Sequence, residues 1–202
     1  MALFLLKIDK LNYYKNMKKI ILAITLLITF NTFAQDAPKV VKQNEITSNL
    51  FDLVISGSFN VGYERLYEGN QSLKIDATFF DTYGYIDAGY IEKSNAISLK
   101  AAYLIYFSKT KDHYGFLFYP QLKLRTGEVT TDFYYGGNGM DDDFSYDVGG
   151  FSAGFGIGHK WIFNDKFTLT INGEIARNLG NFDSDYLGEV EGRFGVNFGV
   201  RF

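Results

Sequence analysis

The residues of this sequence able to do chemistry come as charges set two positions apart. Lys74-Ile75-Asp76 and Lys123-Leu124-Arg125 show the spacing, and Glu64, Lys100, Lys160, Glu174, Arg193 and Arg201 sit in similar alternating stretches. A period of two puts such side chains on one face of extended strands and their apolar neighbours on the other. Opposite charges gathered on one face away from water are predicted to pair, because an unpartnered buried charge is strongly destabilising. Catalytic alternatives are few. There is no cysteine, hence no thiolate nucleophile or thiolate metal site, and only His113 and His159 supply imidazole. Asp141-Asp142-Asp143 offers oxygen ligands of the kind Ca²⁺ takes. It lacks the alternating spacing and bidentate Glu of a calcium loop, so no metal is expected, and these three are the residues to watch. The glycine runs fit strand faces rather than phosphate loops, so neither a cofactor nor a nucleic-acid partner is expected.

The elements that position these charges are strands. Eight segments alternate: Glu45–Ile55, Ser58–Tyr67, Ser72–Phe80, Ala96–Phe107, His113–Arg125, Asp147–Phe163, Lys166–Arg177 and Val190–Phe202. Most are longer than the usual soluble strand, and their length suits a tilted crossing of a bilayer. One face carries Phe59, Val61 and Tyr63, then Leu99, Ala101 and Tyr103, then Phe194, Val196 and Phe198. The other carries Gly, Ser, Thr, Asn and the charges. The first segment fits poorly, since Leu50, Phe51, Leu53, Val54 and Ile55 are apolar on both parities. A chain with 18% aromatic residues and 21 glycines favours one large sheet. The connections alternate short and long. If the first strand rises from the periplasm, the long ones at 81–95, 127–146 and 178–189 all fall outside, as in outer-membrane barrels.

The N-terminus fits export. Met17-Lys18-Lys19 precedes the apolar run Ile20–Phe30 and then Thr32-Phe33-Ala34, which reads as a signal peptide over 17–34 cut after Ala34. Residues 1–16 read as a mis-assigned upstream start, 35–44 as a short periplasmic lead-in and 45–202 as the barrel. Cutting there takes the net charge from −3 to −7.

A soluble eight-stranded barrel also alternates, but it points its large apolar residues inward around a ligand. Here the polar face is crowded with glycine and opposite charges, which suits a narrow packed interior. The last strand, Phe194-Gly195-Val196-Asn197-Phe198-Gly199-Val200-Arg201-Phe202, ends on an aromatic and resembles the insertion signal that outer-membrane barrels show to the barrel-assembly machinery. The plan over 45–202 resembles the small eight-stranded barrels typified by the transmembrane domain of OmpA. Ser58-Phe59-Asn60-Val61-Gly62-Tyr63-Glu64-Arg65 also resembles an uncharacterised branch of them, with a Ser-Phe-Asn-x-x-Tyr-Glu-Arg strand. The resemblance implies an all-β, antiparallel up-and-down transmembrane barrel in the outer membrane of a Gram-negative bacterium, in contact with lipid and lipopolysaccharide. It brings no catalytic residues with it.

The expected function is accordingly a non-enzymatic barrel, monomeric, with Phe202 as insertion signal. Its lumen would be plugged by ion pairs among Glu64, Lys74, Asp76, Lys160 and Arg201 in the periplasmic half and Lys100, Lys123, Arg125, Glu174 and Arg193 in the outer half. The outer connections carry −12, counting Asp81, Asp147 and Glu191, interleaved with tyrosines such as Tyr83, Tyr134 and Tyr186. They read as an acidic aromatic rim for envelope scaffolding or for an extracellular ligand, with strands continuing above the membrane as the plainer alternative. Narrow or lateral transport of a small or apolar solute is the second reading, and an envelope lipid-modifying enzyme the third.

Overall fold

The computed structural model describes residues 43–82, 91–109, 111–132, 143–179 and 189–202. The expected signal peptide, Asp141, Asp142, Tyr83, Tyr134 and Tyr186 lie outside these residues.

Eight strands close a barrel: β1 (Asn44–Asn49), β2 (Phe59–Tyr67), β3 (Gln71–Phe79), β5 (Ile97–Tyr106), β6 (Gly115–Thr126), β9 (Gly150–Phe163), β10 (Phe167–Asn178) and β11 (Val190–Arg201). Their order around the barrel is β1-β11-β10-β9-β6-β5-β3-β2. Each neighbouring pair is antiparallel, so the chain runs up and down with its first and last strands joined. Phe202 makes the closing bonds, its amide donating to the Asn44 carbonyl at 2.9 Å and its carbonyl accepting from the Asn44 amide at 3.2 Å. Short turns mark one end, called the lower. In one of them Asn164 and Asp165 both take φ of 52°, the two left-handed residues that a tight hairpin between right-twisted strands requires.

At the upper end a second sheet of three strands has the order β4 (Ile91–Ser94), β7 (Glu128–Asp132) and β8 (Asp143–Asp147). It extends the barrel's own hairpins: β4 runs into β5, and β6 into β7. Gly127 marks the break with φ +125°, and a Cβ there would collide with the Ala96 backbone. The segment predicted from Asp147 to Phe163 is β9 from Gly150 onward; its first residue, Asp147, closes β8, and Val148-Gly149 parts the two strands. Ala96, Val129 and Val148 bury almost completely at the base of this sheet.

The first predicted strand, Glu45–Ile55, needs correction. Its strand stops at Asn49, and Leu50–Ile55 forms a short helix, α1. A stretch apolar on both parities cannot serve a wall that is wet on one side and greasy on the other. As a helix it turns Asp52 inward, 4% exposed, and leaves Leu53, Val54 and Ile55 outside. The Asn49 side chain accepts the Phe51 amide at 3.1 Å, capping the helix where the strand ends.

The barrel is greasy outside and polar within. Phe59, Tyr63, Ile75, Leu99, Phe116, Leu124, Phe155, Ile157 and Ile175 are all exposed, whereas the buried side chains are mostly polar or charged. Outward aromatics pair across strands, Phe59 with Phe79 at 6.4 Å and Phe167 with Phe198 at 6.0 Å between ring centroids. An apolar band this continuous is far beyond what a soluble monomer exposes, and it has the arrangement of an outer-membrane barrel.

Candidate functional site

The lumen holds three tiers of ion pairs. In the lower tier Lys160 from β9 reaches Glu64 on β2 at 2.8 Å and Glu45 on β1 at 3.1 Å, and Glu45 also accepts from Arg201 of β11 at 2.9 Å. Hydroxyls take up the remaining carboxylate oxygens. Ser72 and Tyr106 both donate to Glu64 at 2.6 Å, and Thr168 donates to Glu45 at 2.6 Å. Glu45, Glu64 and Lys160 are no more than 1% exposed.

In the middle tier Lys100 of β5 pairs with Glu174 of β10 at 2.9 Å and lies 3.8 Å from Asp76 of β3, which also takes Lys74 at 2.9 Å. Tyr119 donates to Glu174 at 2.9 Å, and the amides of Asn172 and Asn197 carry the network on to β11. In the upper tier Arg125 of β6 bridges Asp81 at 2.9 Å and Glu191 at 2.5 Å, and Lys123 holds Glu191 at 2.7 Å. Arg193 of β11 binds Asp81 and the Thr82 carbonyl, and reaches Asp52 of α1 at 3.5 Å. Each tier is neutral: two carboxylates meet two cations below and in the middle, and three meet three above. That balance is what makes so many buried charges tolerable.

Glycine makes room for these side chains. A Cβ on Gly156 would strike the Tyr119 ring, and one on Gly62 would strike Asp76 and Thr47. Among these side chains lies a cavity of about 50 Å³, lined in part by Asn60, Lys100, Tyr119, Glu174 and Arg193. A space of that size has room for a few waters.

All ten charges named from the sequence face this lumen. Glu64 meets Lys160, and Glu174 meets Lys100. Asp76 does not belong to the lower half, because it lies opposite Lys100 in the strand register; Lys74 stands opposite Glu64 and reaches up to Asp76. Two carboxylates assigned to the acidic rim need correction: Asp81 and Glu191, at 0% and 3% exposure, join Asp52 as anions of the upper tier. Glu191 shares the inward parity of Arg193, a signal that outranks its place near a long connection. Glu45, Asp52, Tyr106 and Tyr119 were missed. Glu45 shares the parity of Thr47, and Tyr106 that of Leu104, so alternation would have found both. Asp52 needed the helix. Of the metal candidates, Asp143 opens β8, and Asp141 and Asp142 lie outside the described residues.

The histidines are apart. His113 sits in the lower turn, its Nε2 donating to the Gln71 carbonyl at 3.1 Å. Its pKa is lowered, by burial first, with the Arg201 charge adding to the effect. His159 packs on Trp161 at 4.2 Å and Tyr114 at 5.8 Å on the outer face.

No family model matches the chain, and no curated protein matches it. Among solved structures it is similar to the N-terminal β-barrel domain of OprF from Pseudomonas aeruginosa, with a TM-score of 0.47 and 16% identity, covering 80% of this chain and 98% of that one. It is also similar to Neisserial surface protein A, with a TM-score of 0.42 and 13% identity over 78% of this chain and 91% of that one. A third is the Yersinia pestis outer membrane protein Ail, with a TM-score of 0.42 and 12% identity over 80% of this chain and 99% of that one.

Proposed function

We propose that this chain is a non-enzymatic integral barrel of the Gram-negative outer membrane, closed to solutes along its axis, whose upper sheet and acidic connections do its surface work. The observation that carries this is the three neutral tiers across the lumen. A conducting pore needs a continuous wet path, and here each tier joins opposite walls through charges whose separation would strand buried ions. The apolar outer face supports the membrane setting, with the short-turn end in the periplasm and β4, β7 and β8 outside. The acidic connections place carboxylates and tyrosines where an extracellular partner or envelope component would meet them.

Planar-bilayer recording of the purified protein tests the closed lumen. The expected trace shows no steady conductance of porin size at moderate voltage. A stable open level in most insertions would overturn the plugged reading and favour transport.

A further inference from the structure

The wall of this barrel has a notch. β1 pairs with β11 only from Glu45↔Arg201 to Asn49↔Asn197, and with β2 only from Asn44↔Arg65 to Thr47↔Gly62. Above those points, among the described residues, β11 pairs on its β10 side and β2 on its β3 side, but no strand fills the space between. The last two residues of β1 finish the seam with side chains. Ser48 donates to the Asn60 carbonyl at 2.7 Å, and Asn49 accepts the Val196 amide at 3.0 Å. Above them α1 packs against both β11 and β2.

This short helix has two unlike sides. Outward, Leu53, Val54 and Ile55 are exposed, and the Phe51 ring meets Phe194 edge-on at 5.2 Å. Beside Phe194 the apolar face carries two glycines in place of side chains. Gly173, opposite Phe194 in the register, and Gly192 would each accept a Cβ with nothing within 4 Å. Inward, Asp52 pairs with Arg193 and lines the lumen cavity together with Asn49 and Phe194. Asp52 is the one anion of the upper tier that sits on α1 and would leave with it. The tier would then hold three cations against two carboxylates.

We propose that α1 covers a side port, opening to the outer leaflet, for a single-chain amphiphile with a carboxylate head. The head takes the place of Asp52 on Arg193, and the chain lies along β10 and β11 over Gly173 and Gly192, where no side chain stands in its way. Charge complementarity selects the head, because the surface left by α1 is cationic and already matched to carboxylates. The side-chain-free strip over Gly173 and Gly192, flanked by Ile175, Phe194 and Val190, suits a slender chain. The middle and lower tiers stay closed beneath, so the port binds and does not conduct. The proposal rests on the lipid-facing reading of the barrel.

The test uses the full barrel in phosphatidylcholine nanodiscs with radiolabelled dodecanoate, empty discs giving the background. Wild type is expected to bind dodecanoate saturably at one site, with dodecyltrimethylammonium competing at least tenfold less well. Asp52→Asn, which removes the internal competitor, is expected to bind at least threefold tighter, an effect that simple loss of stability would not produce. The chain has no cysteine of its own, so Phe51→Cys with Phe194→Cys can be folded first and then bridged by dibromobimane. Bridging is expected to abolish saturable binding, with the unbridged sample of the same protein as control. Equal competition by the cation, unchanged or weaker binding by Asp52→Asn, or full binding after bridging would each overturn the port. Bilayer conductance reads the closed lumen separately, so the port can fail while the plug stands.

Discussion

At the residue scale the interior is decided by who neutralises whom. Lys160 serves two buried carboxylates, so Lys160→Ala would leave Glu45 with Arg201 and the Thr168 hydroxyl, and Glu64 with hydroxyls alone. The expected cost is about 3–5 kcal/mol, the range for breaking a buried pair, read from urea unfolding in lipid. Arg177 and Glu189 make an ion pair of similar length, 2.7 Å, but at 65% and 61% side-chain exposure. Arg177→Ala is expected to change stability by less than about 1 kcal/mol. His113 gives a pH test. Its folded pKa is lowered by burial, so the unfolded chain binds a proton more readily. That contribution to stability is complete above the unfolded value of about 6.5 and is lost as pH falls below it. Because His113 has φ of 56°, Asn is the replacement its backbone tolerates. His113→Asn is expected to lose less stability than wild type between pH 8 and pH 5, measured by unfolding midpoints. Much of this was readable in advance, since parity alone put Glu64, Lys160, Glu174 and Lys100 indoors. Parity does not say that a carboxylate beside a loop, such as Asp81, folds back into the mouth. That depends on Arg125 and Arg193 waiting there, a contact between strands distant in sequence.

At the element scale each strand carries two environments, and the last one shows them most plainly. Phe198, half-buried against Phe167, lies within β11, four residues above Phe202, which follows the strand's lower end. Phe198→Arg is expected to cost about 2–4 kcal/mol and Phe202→Arg about 0–1 kcal/mol, the depth dependence of a cation on a lipid face. Equal costs at both positions in a lipid refolding assay would contradict the assignment of faces. Strand identity, and most strand ends to within a residue or two, followed from alternation because the bilayer and the packed lumen both enforce it. Alternation failed at Leu50–Ile55, where no parity was polar, and that failure marked the helix. It also started the sixth segment at Asp147, three residues early, because it does not register the turn at Val148-Gly149 that parts β8 from β9.

At the scale of the whole molecule the barrel closes through its ends. The Phe202 backbone bonds to Asn44, but its side chain is 55% exposed. Phe202→Ala therefore keeps the closing bonds. If the side chain is an insertion signal, this change is expected to lower outer-membrane yield in cells while refolding yield in lipid stays near wild type. Equal loss in both would mean that the ring acts through stability alone. The fold as a whole was legible because its two solvents impose one rule on every strand. The role of the upper sheet and its connections was not, since it depends on surfaces alternation does not constrain.

The central claim is that the apolar face meets lipid and the charged face meets itself. Because the chain lacks cysteine, single spin labels can be placed along β10 of the protein in vesicles. Labels at Leu169, Ile171 and Ile175 are expected to collide more with oxygen dissolved in the bilayer than with an aqueous nickel chelate, most strongly at Ile171. Labels at these positions that prefer the aqueous reagent, or protein that stays soluble without lipid or detergent, would contradict the account.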